Sequence, residues 1–277
     1  YRQTKRALET GLEDLNRANR GNEAKKALRV ALSDWPRKDL QAETTRHYSP
    51  YWQGLHVTAH AVFAQLLRDI TEGEIRIDLH PDEDRDATRA CFVMADHPGI
   101  FARLAGALAL VGANVVDARS YTTKDGWVTD AFWIQDADGN PYDAARLPRL
   151  RDMISKTLKG EIMAREELTS RDKVKKRERV FKVPTHITFD NDGSEIYTII
   201  EVDTRDRPGL LYDLARSLAE SNVYIANAVI ATYGEQVVDT FYVKDMFGLK
   251  YYTESKQKTL EKRLRTAIID GVERAQA

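Results

Sequence analysis

Two stretches of this chain are written to one plan, and that repetition limits the fold more than any other feature. Asp96, Pro98, Gly99, Leu104, Ala105, Leu108, Ala109, Ala118 and Thr122 each meet an identical residue 110 positions on. After a one-residue deletion, Asp130, Phe132 and Asp136 meet Asp239, Phe241 and Asp245. Self-similarity at this spacing means two copies of one unit, too far apart for a solenoid. In the second copy Asp206 precedes Pro208 and Gly209, and Leu211, Leu214, Ala215 and Leu218 follow at helical spacing, so a helix is expected to start at the proline. Val223 to Thr232 and Val237 to Val243 are β-branched and aromatic, and Tyr233-Gly234 between them reads as the turn of a hairpin.

The flanks extend the plan. Ile75, Ile77 and Leu79 alternate with Arg76 and Asp78, a half-buried strand from Glu74 to Leu79. Pro81 to Asp86 reads as a charged turn and Thr88 to Met94 as a second strand, while Leu147, Leu150, Ile154 and Leu158 form an amphipathic helix ending at Gly160. Thr185, Ile187 and Phe189 repeat the first strand, Asp190 to Ser194 the turn, Ile196 to Val202 the second strand, and Leu260, Leu264, Ala267 and Ile268 the closing helix. Each unit is therefore β-β-α-β-β-α, an α+β fold of the ferredoxin-like kind. Ahead of them the chain reads as helical, with Leu8, Leu12 and Leu15 on one face, Ala24 to Leu32 stopped by Trp35-Pro36, and Val57, Ala61, Ala64 and Leu67 on a later helix. Tyr48, Tyr51 and Trp52 sit between these helices, where large aromatics fill a core. The expected division is a helical segment 1–72, a first unit 73–162, a charged linker 163–180 and a second unit 181–277.

A chain of 277 residues holds two or three small domains, and its start at Tyr1, inside what reads as a helix, leads us to expect a piece of something longer. The net charge of −1 argues against a dedicated nucleic-acid or anionic-membrane binder, and no run of about 18 apolar residues is present. Cys91 is alone, which excludes a disulfide framework and a Cys-based zinc site. A cytoplasmic protein with no nucleic-acid and no membrane partner is the expectation. Lys173 to Arg179 (KVKKRER) is short and mixed with acids, a solvated linker rather than a nucleic-acid arm. His56 and His60 lie at i, i+4, a spacing that holds a metal only with further ligands, and none has an obvious spacing here. No metal is expected.

The Asp-x-Pro-Gly-[Ile/Leu] start of each first helix, followed by a hairpin carrying Asp-x-Phe, resembles the ACT domain, a small-molecule sensor of ferredoxin-like fold. In the usual ACT order a final strand follows the second helix. Here the strand preceding each unit must take that place, so each repeat resembles a permuted ACT domain. Val183 to Val202, DRPGLLYDLARSL, Thr232 to Glu235 and Val237 to Asp245 are similar to the C-terminal end of the family of bifunctional PII uridylyltransferase/uridylyl-removing enzymes. Asp34-Trp35-Pro36 and Arg46 to Trp52 are similar to the segment before the tandem ACT domains there. The resemblance implies a regulatory region that takes L-glutamine, acts on the PII protein through its parent enzyme, and pairs ACT domains within or between chains. It also implies Mg2+ or Mn2+ in the parent's catalytic domains. Those domains should lie elsewhere: Gly193-Ser194 is followed by Asp203-Thr204-Arg205-Asp206, not by a correctly spaced Asp-x-Asp pair, and no histidine is followed by Asp. No catalytic residue is expected in this chain.

What remains is an amino-acid site. A helix N-terminus offers unpaired N–H groups and the positive end of a dipole, which suits a carboxylate. In Asp96-His97-Pro98-Gly99 and Asp206-Arg207-Pro208-Gly209 the glycine leaves room for a ligand and the Asp suits an α-ammonium. The alternative is that Asp merely caps the helix. Asn114, Asn222 and Asn227, near the start of the first hairpin strand, either bond a ligand amide or simply favour the turn. His97 becomes Arg207 between repeats, so charge near the ligand is expected to differ. Asp130 and Asp239 are expected to point off the sheet, into solvent or toward a neighbouring repeat.

Overall fold

The computed structural model describes residues 19–160, 184–207, 209–233 and 236–276. The Leu8, Leu12 and Leu15 stripe, the Lys173 to Arg179 run, Pro208 and Gly234 lie outside the described residues. The chain divides into two compact units: Tyr1–Asp78 with Cys91–Ala95 and Tyr121–Thr129, and the remainder, which holds most of both repeats.

In the first unit the chain is helical over 19–31 (α1), Arg37–Arg46 (α2), Ser49–Gly54 (α3) and Val57–Leu67 (α4). Pro36 ends the first approach and Pro50 opens α3 at a position where its missing N–H is not needed. Tyr51 and Trp52 are buried, and His47 stacks on Tyr51 with ring centroids 3.7 Å apart while its Nε2 meets Glu43 Oε1 at 2.9 Å. Burial holds the His47 imidazole below its ordinary pKa, with Glu43 pulling the other way. Tyr48 departs from the expected core: it precedes α3, is 55% exposed, and lies under Lys124 Nζ instead. His56 caps α4 at the surface, whereas His60 is fully buried with Nε2 bonded to the Tyr51 carbonyl at 3.1 Å, so the two histidines face different surroundings. Within the same unit, Arg46 pairs with Asp125 at 2.7 Å and Lys124 Nζ donates to the Thr45 carbonyl at 2.7 Å.

The first repeat runs β1 (Arg76–Asp82), β2 (Ala87–Ala95), α5 (Ile100–Leu110), β3 (Asn114–Arg119), β4 (Trp127–Gln135) and α6 (Leu147–Leu158). The second runs β5 (His186–Asp190), β6 (Thr198–Arg205), α7 (Leu210–Glu220), β7 (Val223–Tyr233), β8 (Gln236–Asp245) and α8 (Glu254–Gln276). The sheet orders are β1-β2-β4-β3 and β5-β6-β8-β7. The strand before each unit thus joins its own sheet, completing an edge that would otherwise expose unpaired backbone. β1 starts two residues after Glu74 and continues through Pro81, because an edge strand tolerates a residue without an N–H donor.

In the second sheet burial alternates, with Thr198, Ile200, Val202 and Thr204 of β6 and Val237, Asp239, Phe241 and Val243 of β8 on the covered face. In the first, β2 and β4 are buried on both faces nearly throughout. The helices begin one step later than the proline pattern predicts. Their N-cap residues are Gly99 and Gly209, with φ of 82° and 76°, a left-handed conformation that side chains other than glycine resist. Both hairpins slip register at the same place, between Val115 and Asp117 and between Ile225 and Asn227, so even the bulge is duplicated.

The loop leaving each hairpin is duplicated too. Asp136 Oδ1 accepts the Asp138 and Asn140 amides at 3.0 Å each, and Asp245 Oδ1 accepts the Phe247 and Leu249 amides at 2.9 Å each. The chain then ties back to β2 or β6: Tyr142 N–H reaches Thr88 Oγ1 at 2.8 Å and Tyr251 N–H reaches Thr198 Oγ1 at 2.7 Å. Asp245→Ala removes an acceptor from two amides, a loss of about 1–2 kcal/mol, and should lower the urea midpoint of the chain. Phe247→Ala, which keeps both bonds, should leave the midpoint in place.

Candidate functional site

The strand-to-helix turns at Asp96–Gly99 and Asp206–Gly209 are built alike. Ile100 N–H bonds the His97 carbonyl at 3.2 Å and Leu210 N–H bonds the Arg207 carbonyl at 3.2 Å. With glycine at the N-cap, neither helix has the capping side chain that Ser, Thr or Asp supplies there. The aspartates stand three residues earlier, and both are half-buried. Burial pushes the Asp206 carboxyl above its ordinary pKa, opposed by the Arg207 backbone N–H and by the Arg207 charge.

The residue after each aspartate is turned toward its own helix. Arg207 is buried and donates to Asp213 Oδ2 at 2.6 Å, with a longer bond to the Ala267 carbonyl of α8 at 3.4 Å. A Cβ on Gly271 would run into that guanidinium. In the first repeat Arg103 of α5 bonds His97 Nε2 at 2.8 Å and also donates to the Leu158 carbonyl of α6. His97 and Arg207 correspond, as do Arg103 and Asp213, and the carbonyls of Leu158 and Ala267 are one position out of correspondence on the closing helices. A guanidinium therefore ties loop, first helix and closing helix together in both repeats, supplied by the helix in one and by the loop in the other. With His counted as neutral, His97 and Arg103 together carry +1 and Arg207 and Asp213 together carry 0, so the charge difference expected from the loop residue alone is reversed in sign once its helix partner is counted.

The asparagines do not gather around their own repeat's turn. Asn227 stands opposite Tyr242, and Tyr242 opposite Ile199. Ile199 is 206 − 199 = 7 residues from Asp206, so roughly 20 Å of strand separates Asn227 from the turn. Asn227 Oδ1 is buried with no hydrogen-bond partner among the described residues, beside the bulge; its counterpart Asp117 pairs with Arg85 and Arg119. Asn222 takes φ 55° in an exposed turn, and Asn114 is exposed at the start of β3. The helix end before Asn222 is what meets the other repeat. The Asn222 N–H bonds the Ala219 carbonyl at 3.0 Å, and a Cβ on Gly99 would touch Ala219 Cβ at 3.8 Å. The edge strands β3 and β7 and the helices α5 and α7 lie against each other, and Arg119 Nη1 reaches the Ala228 carbonyl at 3.3 Å.

Asp130 and Asp239 reverse the expectation that they leave the sheet for solvent. They are 0% and 1% exposed, because strand alternation puts Asp239 on the same face as Val237, Phe241 and Val243. Asp239 Oδ1 is buried with no hydrogen-bond partner among the described residues, and burial, reinforced by the nearby Asp206 charge, pushes its carboxyl well above the ordinary range. The charge of the residue suggested an outward position, whereas its period-two place between Val237 and Phe241 was the signal for an inward one. The latch partners Arg103 and Asp213 were also missed. The signal for them was the paired exchange of His97/Arg103 for Arg207/Asp213.

Comparison with known proteins places these features. The ACT domain model matches residues 91–146, and the model of the ACR9-like, ACT-like domain matches residues 186–274. Proteins named bifunctional uridylyltransferase/uridylyl-removing enzyme are similar throughout: that of Ruegeria pomeroyi is 74% identical over 100% of this chain and 31% of its own length. The Cereibacter sphaeroides protein is 70% identical over 99% of this chain and 30% of its own, and that of Azospirillum brasilense 38% over 98% and 30%. The chain thus spans about a third of the length of these relatives. A crystal structure of aspartate kinase from Synechocystis shares 17% identity over 66% of this chain and 27% of that chain at a TM-score of 0.34, too slight a likeness to add to the fold. None of the described helices is long and apolar enough to cross a membrane.

Arg207→Ala strands the Asp213 carboxylate in the interior and should destabilise the chain by about 3–5 kcal/mol, partly recovered when Asp213→Ala is added. Arg103→Ala, at the exposed version of the latch, should cost about 1 kcal/mol or less. Denaturant midpoints of the three variants decide this. For Asp239, the folded state keeps a proton that the unfolded chain releases near pH 4, so stability falls as pH rises from there through the raised folded pKa. Asp239→Asn should abolish that decline and be more stable than the parent at neutral pH. Equal slopes of midpoint against pH in the two proteins would show that Asp239 is ionised in the folded state.

Proposed function

We propose that this chain, which belongs to the bifunctional uridylyltransferase/uridylyl-removing enzyme family and carries its paired ACT domains, is the C-terminal regulatory region that senses L-glutamine. Through catalytic domains elsewhere in the parent, cytoplasmic enzyme, it sets the balance between adding UMP to the PII protein and removing it. The observation that carries the reading is the strand-to-helix turn made twice, each with glycine at the N-cap and Asp three residues before it. First-turn amides and the helix dipole suit the ligand's carboxylate, and Asp96 or Asp206 suits its ammonium. The closeness of Gly99 and Ala219 supports reading the α5 start and the end of α7 as neighbours, and Asn222, three residues after Ala219, is proposed to lend its amide to the first of these sites.

The chain itself is proposed to be regulatory only. Gly193-Ser194 lacks a correctly spaced Asp-x-Asp pair, which supports assigning the Mg2+ or Mn2+ chemistry of nucleotidyl transfer to other parts of the parent. Ser194, the serine of the Gly-Ser pair, accepts the Ile196 and Tyr197 amides in a surface turn. Turnover of UTP with PII by this chain alone would overturn the assignment.

Calorimetric titration with a panel of amino acids tests the ligand, and glutamine should bind most tightly. Asp206→Ala and Asp96→Ala should each remove a charge-assisted bond of ~1.5–3 kcal/mol, about ten- to a hundredfold in affinity at their own site. Undiminished binding in both single variants and the double variant would rule out the helix-start sites, and preference for another amino acid would rule out glutamine.

A further inference from the structure

The loop that leaves each hairpin is the same structure made from opposite kinds of residue. In the first repeat Asp136 organises Ala137-Asp138-Gly139-Asn140, and in the second Asp245 organises Met246-Phe247-Gly248-Leu249. Asp136 N–H bonds the Asn140 carbonyl and Asp245 N–H the Leu249 carbonyl, both at 2.8 Å, and Gly139 and Gly248 have φ of 81° and 78°. The polar version shows that this backbone needs no apolar side chains. In the second repeat Met246, Phe247 and Leu249 are 67%, 75% and 63% exposed, and Tyr252 beyond them is 66% exposed. The turn before β6 lies alongside, held by Lys250 Nζ on the Asn191 carbonyl at 2.8 Å, and it adds Ile196 at 51% exposure. Apolar residues that the loop does not use, grouped at one end of a sheet, mark a contact surface.

We propose that this patch is the face through which two copies of the chain pair about a two-fold axis. The rim argues for a second copy. Lys244 and Lys256 lie over the Tyr197 and Tyr251 rings, and Asp192, Glu195 and Glu254 are exposed around the same end, so both signs of charge are present. An isologous contact sets such a rim against itself with opposite charges facing, whereas a strongly acidic or basic partner would call for one sign. The net charge of −1 puts up no long-range repulsion between copies. The exposed parts of the five apolar side chains amount to roughly 600 Å² per copy, about 1,200 Å² for two, which reaches the lower limit of a specific interface.

The test grafts the first repeat's loop onto the second. Sedimentation of the whole chain from about 1 to 200 μM should show a monomer–dimer equilibrium, and M246A/F247D/L249N should shift dissociation at least tenfold higher in concentration with an unchanged melting midpoint. Should the triple variant fail to fold, Phe247→Asp alone and the concentration series of the unmodified chain give the same reading. Phe247→Cys should cross-link to itself under mild oxidation, with no competing exposed thiol, since Cys91 is buried. A chain that stays monomeric throughout the range, or a dimer indifferent to the graft, overturns the proposal. So does a monomeric chain whose graft alters regulation in the full-length parent, which would assign the patch to the parent's own catalytic domains.

Discussion

Two glycines held at positive φ, Gly99 and Gly209, turn the chain out of the sheet and into the helix that covers it. A residue with a Cβ would strain that turn, and without the turn α5 and α7 could not start directly above the strands they leave. The same constraint creates the site. It places an Asp just before the helix, leaves the N-cap without a side chain, and brings the residue between them to the first helix, where a guanidinium ties it to the closing helix. Geometry of this kind is set by backbone, which is why both repeats keep it while their side chains differ.

Where the repeats differ, the differences are paired or local. The cation of the latch moves from α5 to the loop, and its partner changes from His97 to Asp213, so three elements stay joined. At the bulge, Asp117 is neutralised by two arginines, while Asn227 keeps a buried Oδ1 without a partner among the described residues. One of those arginines, Arg119, reaches the Ala228 carbonyl on β7, so the edge strands of the two sheets cover each other instead of remaining exposed. The second repeat's inward Asp239 is a local weakness of the core, tolerated in a sheet whose other covered residues are well packed.

The order of elements was legible in the sequence because periodicity and punctuation report it directly. Alternation at Ile75, Ile77 and Leu79 and helical spacing at Leu147, Leu150, Ile154 and Leu158 located β1 and α6 to within three residues at each end. The strand before each unit was legible from its alternation, and it takes an edge of its own sheet. The glycine of each turn was legible as well, and the structure adds a conformational reason for it, a positive φ.

By itself, then, the sequence determined the repeat, the class of fold and the two strand-to-helix turns, since each rests on local pattern along the chain. Only the tertiary structure decided which faces the charged side chains take. Asp239 turns inward because its neighbours at i±2 are core residues, and Arg207 turns to Asp213 because α8 closes over it. Asn227 lies far from Asp206 because antiparallel register runs the hairpin away from the turn, while Gly99 meets Ala219 because the two repeats pack helix against helix. Register and packing join residues distant in the chain, and the pattern within a single strand or helix carries no record of them.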